Sequence, residues 1–284
     1  MPLLPVPDRR DEPELMDAPG LDPAEVALAY RLLGKINRQF FGSLGSAGRE
    51  LDEAVRVDGP PGTLLDVGTG SGDIPEALRG RLARRGIRTT ALALDRDPTA
   101  LALAAARGLP CIRADALRLP FADASIDLVL AAKFAHHFDG PALRRLVAEM
   151  ARVARRRVVV VDIRRGWPAY YAFIAWSRLF APSRLVRHDG ALSVLRGFTA
   201  AELRAAAPPA AEYRWEVRRH PGFQLALIGR RLEDPKDGVP TPPEDKRQKL
   251  AGKENTKLNI TTPISSLFAH PKGTSEIQLE PQPE

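Results

Sequence analysis

Cysteine is almost absent from this sequence, since Cys111 is the only one among its 284 residues. A single thiol excludes a disulfide framework and a cysteine-based zinc site, and it is typical of proteins in the reducing cytoplasm. Long apolar runs are also absent, because none approaches the ~20 residues that a membrane helix needs. Residues 1–11 have neither the basic start nor the apolar core of a signal peptide. We therefore expect a soluble, cytoplasmic protein with no membrane span.

Acidic residues are in deficit, but only in the first part of the chain. The sequence has 42 basic and 35 acidic residues, and 7 of the basic and 9 of the acidic ones lie after residue 231. The formal net charge is therefore +9 over residues 1–231 and −2 over residues 232–284. A basic balance is also typical of nucleic-acid-binding proteins, so an RNA substrate is one alternative.

The two ends of the chain differ in composition from the middle. Residues 232–284 are rich in Pro, Thr, Glu and Ser, so we predict that they form a disordered tail. The short apolar segment 264–268 within it is either disordered as well or binds a partner. Residues 1–20 are Pro-rich and acidic and are predicted to form a flexible leader. The remaining residues, 21–231, are long enough to bury one sizeable core, so we expect a single large domain there.

The strongest motif covers residues 63–74. It begins as a short apolar run, which predicts a buried parallel strand, and it then breaks into glycines at alternate positions, Gly68, Gly70 and Gly72. Glycine suits such a turn because the backbone takes unusual angles and a ligand must lie against the main chain. The dinucleotide fingerprint G-x-G-x-x-G has a different spacing. Asp66 precedes the turn, and its carboxylate suits a ligand with an amino group and a sulfonium better than an anion.

This pattern resembles motif I of the class I S-adenosylmethionine-dependent methyltransferases. The resemblance extends to Asp95, which ends a second apolar strand about 20 residues past the glycines, where a carboxylate binds the ribose hydroxyls. Arg96 follows as a candidate for stacking on adenine. A third strand ends in Asp115 and Ala116, the pair that the resemblance assigns to the adenine ring. These residues are the predicted binding site for S-adenosylmethionine as cofactor.

The resemblance covers residues 22–230 and is most specific in the cofactor half. It implies an α/β fold with a Rossmann-like seven-stranded sheet whose last strand is antiparallel, with helices on both faces, an N-terminal helical cap and a helical lid insertion. Within the superfamily the chain is most similar to the type 11 group of small-molecule enzymes, which includes ubiquinone/menaquinone C-methyltransferase-like proteins. Apolar runs predict a second strand at 89–94 and a third at 111–114, and residues 121–130 form a turn and the fourth strand. The fifth strand is predicted at 158–161, and two closing strands at 213–219 and 223–229.

The segment after the fourth strand, residues 131–138, is expected to face the transferred methyl group, because ligands of open α/β sheets bind beyond the carboxyl ends of the strands. It contains Lys133, a candidate for contact with the acceptor, and the adjacent His136 and His137. We expect only one of these histidines to face the acceptor, because neighbouring side chains point in different directions. Both are candidate bases, as is His188. A metal site needs more ligands than this segment offers, so none is predicted.

Two predicted helical regions cover the acceptor. The N-terminal helix, which begins after Asp22, contributes Tyr30 and Asn37, and the insertion at 166–198 is aromatic-rich and contributes Tyr170. Arg164 leaves the fifth strand on the same side and is a further candidate for contact with the acceptor. Within the insertion, the Arg-His-Asp-Gly sequence at residues 187–190 predicts a charged turn, either over the pocket or at the surface.

The predicted activity is methyl transfer to oxygen or carbon of a small acceptor that is aromatic or resembles a polyketide or quinone. A phenol, with a pKa near 10, needs a base or a cation, which the histidines supply. No Asn-Pro-Pro-Tyr or Asp-Pro-Pro-Tyr motif is present, which argues against a nucleic-acid amine. Two alternatives stay open: an RNA methyltransferase, and a catalytically silent domain that binds the cofactor or a partner. The arginines at 155–157 suit a solvated strand entrance away from the cofactor better than RNA.

Overall fold

The computed structural model describes residues 6–18, 20–39, 42–209 and 212–232, and within these ranges it has seven strands and eight helices. The strands are β1 (Thr63–Val67), β2 (Thr90–Asp95), β3 (Cys111–Arg113), β4 (Ile126–Ala132), β5 (Ala154–Ile163), β6 (Tyr213–His220) and β7 (Gln224–Arg231). The helices are α1 (Pro23–Gln39), α2 (Ser43–Asp58), α3 (Asp73–Ala83), α4 (Pro98–Ala105), α5 (Gly140–Val153), α6 (Trp167–Phe180), α7 (Arg184–Arg196) and α8 (Ala200–Ala205). Short 3₁₀ helices occur at Leu15–Asp17 and Ala135–His137.

The strands form one sheet in the order β3-β2-β1-β4-β5-β7-β6. Neighbours from β3 to β5 are parallel, whereas β7 is antiparallel to both β5 and β6. Every residue of β4 is buried, as expected for a central parallel strand covered on both faces. The predicted seven-stranded, Rossmann-like sheet with an antiparallel last strand is confirmed.

Helices cover both faces of this sheet because successive strand residues point to opposite sides. Leu65 and Val67 of β1 belong to an apolar cluster with residues of α5 and α8. Leu64, whose side chain points to the opposite face, belongs to another cluster with residues of α2, α3 and α4. The helix bounds follow local signals: the Asp97 side chain caps α4, and Thr199 forms a capping box at the start of α8.

The predicted helical cap and helical lid lie together beyond the carboxyl end of β5. A third apolar cluster there joins Ala29 and Ile36 of α1, Phe173 of α6, and Val186 of α7 to Ile163, the last residue of β5. Cap and lid therefore share a core of their own, which is separate from the two clusters on the faces of the sheet.

The predicted charged turn at residues 187–190 is wrong, because these residues lie inside α7. The side chain of Ser183 caps this helix by accepting a hydrogen bond from the Val186 amide. Gly190 is required within the helix, since a Cβ there would lie 2.1 Å from the ring of Phe173. A glycine selected for close packing thus looks, in the sequence, like a turn residue.

The described part of the leader, residues 6–18, is attached to the domain, in contrast to the flexible leader that composition predicts. Arg9 donates hydrogen bonds to the carbonyl oxygens of Arg196 at 2.8 Å and Phe138 at 2.7 Å. Its guanidinium also lies over the ring of Phe198, at 4.8 Å from the centroid. Arg9 and Glu14 thus bind groups of the domain through their side chains, whereas Asp8, Arg10, Asp11 and Glu12 are exposed.

The rest of the domain division stays a prediction, since the predicted tail lies outside the described residues after Leu232. Among the residues that the structure does describe, no helix combines the length and the apolar character that a membrane span requires.

Candidate functional site

A cavity of about 940 Å³ lies at the carboxyl ends of β1, β2, β4 and β5, beneath α1, α6 and α7. This is the edge of an open α/β sheet at which ligands bind. The cavity has a polar end beside the glycine turn after β1 and a second end beside the histidines after β4. Its shape suits two ligands that meet in the middle.

The three glycines after β1 have positive φ angles but different neighbours. Gly68, at φ +70°, passes under the ring of Phe134, and a Cβ there would lie 2.1 Å from that ring. Gly70, at φ +53°, lines the cavity. Gly72, at φ +73°, packs against Ala104 of α4, 2.8 Å from where a Cβ would be, and is not among the cavity-lining residues. Of the predicted cofactor glycines, Gly68 and Gly70 therefore line the cavity, whereas Gly72 positions the helix behind it.

Asp95 lies at the centre of the turn end. One carboxylate oxygen accepts a hydrogen bond from the Gly70 amide at 2.9 Å, and the other accepts one from the Asp97 amide at 3.0 Å. These bonds orient the carboxylate toward the cavity, and each oxygen retains a lone pair for a hydroxyl donor. The Tyr30 hydroxyl donates to Asp97 at 2.8 Å, so Tyr30, predicted on the acceptor side, lies at the cofactor end.

The pair after β3 also lines this end of the cavity. Asp115 accepts a hydrogen bond from the Leu117 amide at 2.9 Å, which leaves its second oxygen for a ligand, and Ala116 is buried beside it. Arg96 lines the cavity as an exposed residue, with its carbonyl oxygen bonded to the Arg113 side chain at 3.2 Å. The structure thus brings the sequence-predicted adenine-binding residues together.

Two acids bracket the glycine turn. Asp66 is 2% exposed and does not line the cavity. The Thr69 hydroxyl donates a hydrogen bond to Oδ2 of Asp66 at 2.9 Å, whereas Oδ1 of Asp66 has no hydrogen-bond partner within the described ranges. Burial raises the pKa of Asp66 to about 8. Asp73, the first residue of α3, does line the cavity and accepts a bond from Ser71 at 3.1 Å. Sequence reasoning missed Asp73, although its position directly after Gly72 was a signal.

The other end of the cavity is built around His136, which is 3% exposed. Its Nδ1 lies 2.8 Å from Asp162 Oδ1, and its amide donates to Asp162 Oδ2 at 3.0 Å. Its Nε2 lies 3.6 Å from Glu14 Oε1. Burial lowers the pKa of His136, but attraction and hydrogen bonding to the carboxylates of Asp162 and Glu14 exceed this effect and raise the pKa to about 9. His136 is therefore an imidazolium between two carboxylates at neutral pH.

His137 and Glu14 complete this end. The rings of His136 and His137 are stacked, with centroids 4.6 Å apart, and both line the cavity, but His136 is buried and hydrogen-bonded to Asp162 whereas the His137 side chain is 28% exposed. The 3₁₀ helix tightens the chain enough to align the two side chains. Glu14 lies 3.9 Å from His137 Nε2 and accepts a bond from Ser193 at 2.7 Å. Burial disfavours its charge, but hydrogen bonding to His136 and the charges of both histidines lower its pKa to about 2.

Lys133, a predicted acceptor-contacting residue, lies between the two ends. It follows β4 in a left-handed conformation, at φ +58°, and its amide donates to the Val161 carbonyl at 2.8 Å. Its buried ammonium lines the cavity, and burial lowers its pKa to about 7 despite the attraction of Asp162.

One face of α7 connects the leader to the site. Asp189 accepts hydrogen bonds from the amides of Leu15 at 2.7 Å and Met16 at 2.9 Å. Arg196 donates to the carbonyl oxygen of His137 at 3.1 Å. With Ser193, these residues recur at the i, i+4 and i+7 spacing of one helix face, and all three line the cavity. Sequence reasoning missed Asp189 because it assigned residues 187–190 to a turn, and it gave Ser193 and Arg196 no role.

Several predicted site residues do not line the cavity. The His188 side chain is 53% exposed and bonds to Asp189 at 2.9 Å, so this candidate base faces solvent. Arg164 stacks on Phe223, at 6.0 Å, and Tyr170 packs edge-on against Trp167. Asn37 lies in α1, and its side chain is outside the described part of the structure. In the lid, Phe173 lines the cavity instead of Tyr170.

Comparison with known proteins finds that residues 65–161 match a family model described as a methyltransferase domain. An uncharacterized methyltransferase from Mycobacterium sp. strain JLS is 34% identical over 143 residues, which span 46% of this chain and 54% of that protein. The chain thus spans about half the length of this relative.

Solved structures share the fold at low identity. A candidate O-methyltransferase from Nostoc punctiforme superposes with a TM-score of 0.54 at 16% identity, over 79% of this chain and 64% of that one. The plantazolicin methyltransferase BpumL, solved with a pentazolic desmethylPZN analog and SAH, gives 0.55 at 13% identity, over 74% and 97%. The match to a methyltransferase domain over residues 65–161 and the shared fold confirm the predicted resemblance to methyltransferases.

Proposed function

We propose, on the premise that this chain is a class I S-adenosylmethionine-dependent methyltransferase, that it methylates oxygen or carbon of a small acceptor that is aromatic or resembles a polyketide or quinone. The observation that carries the proposal is the two-ended cavity of about 940 Å³. Its aromatic lining, Phe134, Phe138 and Phe173, suits a flat molecule, and its many charged and polar side chains suit one that carries oxygen or nitrogen groups. The plantazolicin methyltransferase, whose fold is similar, was solved with a pentazolic desmethylPZN analog.

The residues at the turn end fit the cofactor. The Asp95 carboxylate is oriented for ribose hydroxyls, and Asp115 with the adjoining amides suits adenine. The carboxylate of Asp73, which lines the cavity, suits an ammonium group. When bound, S-adenosylmethionine supplies a methyl group that its sulfonium already activates.

The residues at the other end position the acceptor and manage its proton. Asp162 and Glu14 hold His136 as a cation, which therefore stabilises an oxyanion rather than acting as a base. We assign the base role to Nε2 of His137, which lines the cavity. The Lys133 side chain places another nitrogen in the cavity beside the histidines. Methyl transfer requires the acceptor atom to lie close to the methyl donor in a water-poor site, and Lys133 contributes to holding the acceptor there.

The arginines at 155–157 do not support the RNA alternative. Arg157 is 3% exposed and pairs with Asp58 at 2.6 Å, and Arg155 pairs with Asp127 at 3.0 Å. These arginines lie at the start of β5, and the cavity lies beyond its other end. Their charge is used in ion pairs of the domain rather than offered to a phosphate backbone near the site.

The test is methylation of a panel of phenols, polyketides and quinones, read by mass spectrometry as the addition of one methyl group. On the best acceptor, His137→Gln should lower kcat by about 100-fold or more, as expected for loss of a general base, without weakening cofactor binding. His188→Gln is the matched control and should leave kcat unchanged, because His188 faces solvent. Methylation of RNA and of none of the small acceptors would contradict the proposal, and an unchanged kcat for His137→Gln would remove the base assignment.

A further inference from the structure

Glu14, His136 and His137 present metal-binding atoms to one part of the cavity. These atoms all lie within 4.8 Å of one another, with 3.6 Å between Glu14 Oε1 and His136 Nε2. Ligands held at ~2.0–2.1 Å around one tetrahedral ion lie ~3.3 Å apart, so small side-chain rotations are enough to close the site. The carboxylate comes from the leader, which explains why the histidine pair alone predicts no metal.

The supporting contacts are those of a metal ligand set. Metal-bound histidines donate their other ring N–H to a carboxylate, which fixes the tautomer and the ring. Asp162 stands in that position, 2.8 Å from Nδ1 of His136, and leaves Nε2 directed at Glu14. Ser193 in turn donates to Glu14 at 2.7 Å, which orients the carboxylate. Asp162 is fully buried and Ser193 is half-buried, and both contacts are already formed, so the arrangement is preformed.

We propose that Glu14, His136 and His137 bind a divalent transition-metal ion. Two imidazoles and one carboxylate suit Zn²⁺, Fe²⁺ or Co²⁺ better than Mg²⁺ or Ca²⁺, which prefer oxygen ligands. Glu14 and Asp189 line this end of the cavity, and Asp162 lies behind His136, so three carboxylates surround the site beside Lys133, Arg196 and the imidazolium of His136.

Three protein ligands leave at least one coordination position open toward the cavity, as in catalytic rather than structural metal sites. With the ion bound, His136 would be unprotonated at Nε2 and His137 would be a ligand instead of a base, and an acceptor hydroxyl in the open position would bind as the oxyanion, with its proton released to water. This role rests on the proposed function, whereas binding of the ion does not depend on it.

The experiment is titration of the chelator-treated full chain with Co²⁺ at pH 8, followed by visible absorption and by calorimetry, with Zn²⁺ as competitor. We expect one equivalent to bind with d–d absorption bands and to be displaced by Zn²⁺ but not by Mg²⁺. Glu14→Ala and His137→Ala should each weaken Co²⁺ binding at least tenfold. His188→Gln is the control and should bind Co²⁺ like the wild type.

Thermal melting of each variant checks that it is folded, and Glu14→Gln, which preserves shape, replaces Glu14→Ala if that variant is not. Absence of saturable Co²⁺ binding to the wild type, or equal affinity in the folded variants, would overturn the proposal. Binding of S-adenosylmethionine to the chelator-treated protein is measured in parallel. Binding of S-adenosylmethionine without binding of Co²⁺ would refute the metal site and leave the proposed function standing. Binding of Co²⁺ without binding of S-adenosylmethionine would support the metal site and refute the proposed function.

Discussion

Asp66 is a buried carboxyl whose charged form opposes folding. It lies at the end of β1, one of its oxygens has no hydrogen-bond partner within the described ranges, and Asp73 and Asp95 add negative charge nearby. Burial raises its pKa from 3.8 to about 8 because the charged form loses its hydration.

A pH dependence of stability follows. The protonated form is favoured in the folded protein, so the contribution of Asp66 to stability is fully present below about pH 4 and is lost as the pH rises to about 8. We expect Asp66→Asn to gain about 2 kcal/mol in free energy of unfolding relative to wild type between pH 6 and pH 8. Urea unfolding of the cofactor-free protein at both pH values measures this. The exposed Asp123→Asn is the control, and an identical difference at both pH values for Asp66→Asn would contradict the account.

At the scale of elements, the leader and α7 act as a pair. Asp189, Ser193 and Arg196 on one face of α7 bind the backbone or side chains of the leader and of the segment after β4. Arg9 strengthens the same connection through the carbonyl oxygens of Arg196 and Phe138. The Glu14 carboxylate therefore reaches the histidines only while the leader is docked.

Arg9→Ala should loosen this docking. The substitution removes hydrogen bonds to three carbonyl oxygens and a contact with the Phe198 ring, so hydrogen exchange in residues 6–18 should accelerate by about tenfold or more. Arg10→Ala is the matched control, because Arg10 is exposed and pairs only with Glu12 within the described residues. Equal exchange rates in the two variants would show that the leader is held by something else.

The sequence predicts the elements whose signals are local. The glycine turn, Asp95 and the closing hairpin follow from short apolar runs and turn residues, and the fold followed from them. Glu14 was not predictable, because its partners are distant in the chain and nothing near it marks a site. α7 was missed because Asp189 and Gly190 are typical of turns, while their roles here, binding amides and admitting the ring of Phe173, come from tertiary packing.

At the scale of the whole molecule, the parallel strands decide where chemistry takes place. β1, β2, β4 and β5 all end at one edge, which gathers residues from distant parts of the chain around one cavity. Ion pairs lie at the opposite edge, where Asp58 pairs with both Arg157, near the start of β5, and Arg230, near the end of β7. These two arginines are therefore not part of the cavity.

The most direct test of the account is calorimetric binding of S-adenosylmethionine to the purified full chain. We predict a dissociation constant on the order of micromolar for the wild type, and a loss of about 100-fold in Asp95→Ala, which removes two charge-assisted hydrogen bonds to ribose. Asp123→Ala, an exposed aspartate far from the cavity, should bind like the wild type. Absence of binding to the wild type, or equal affinity in Asp95→Ala, would contradict the central claim that this cavity is a cofactor site.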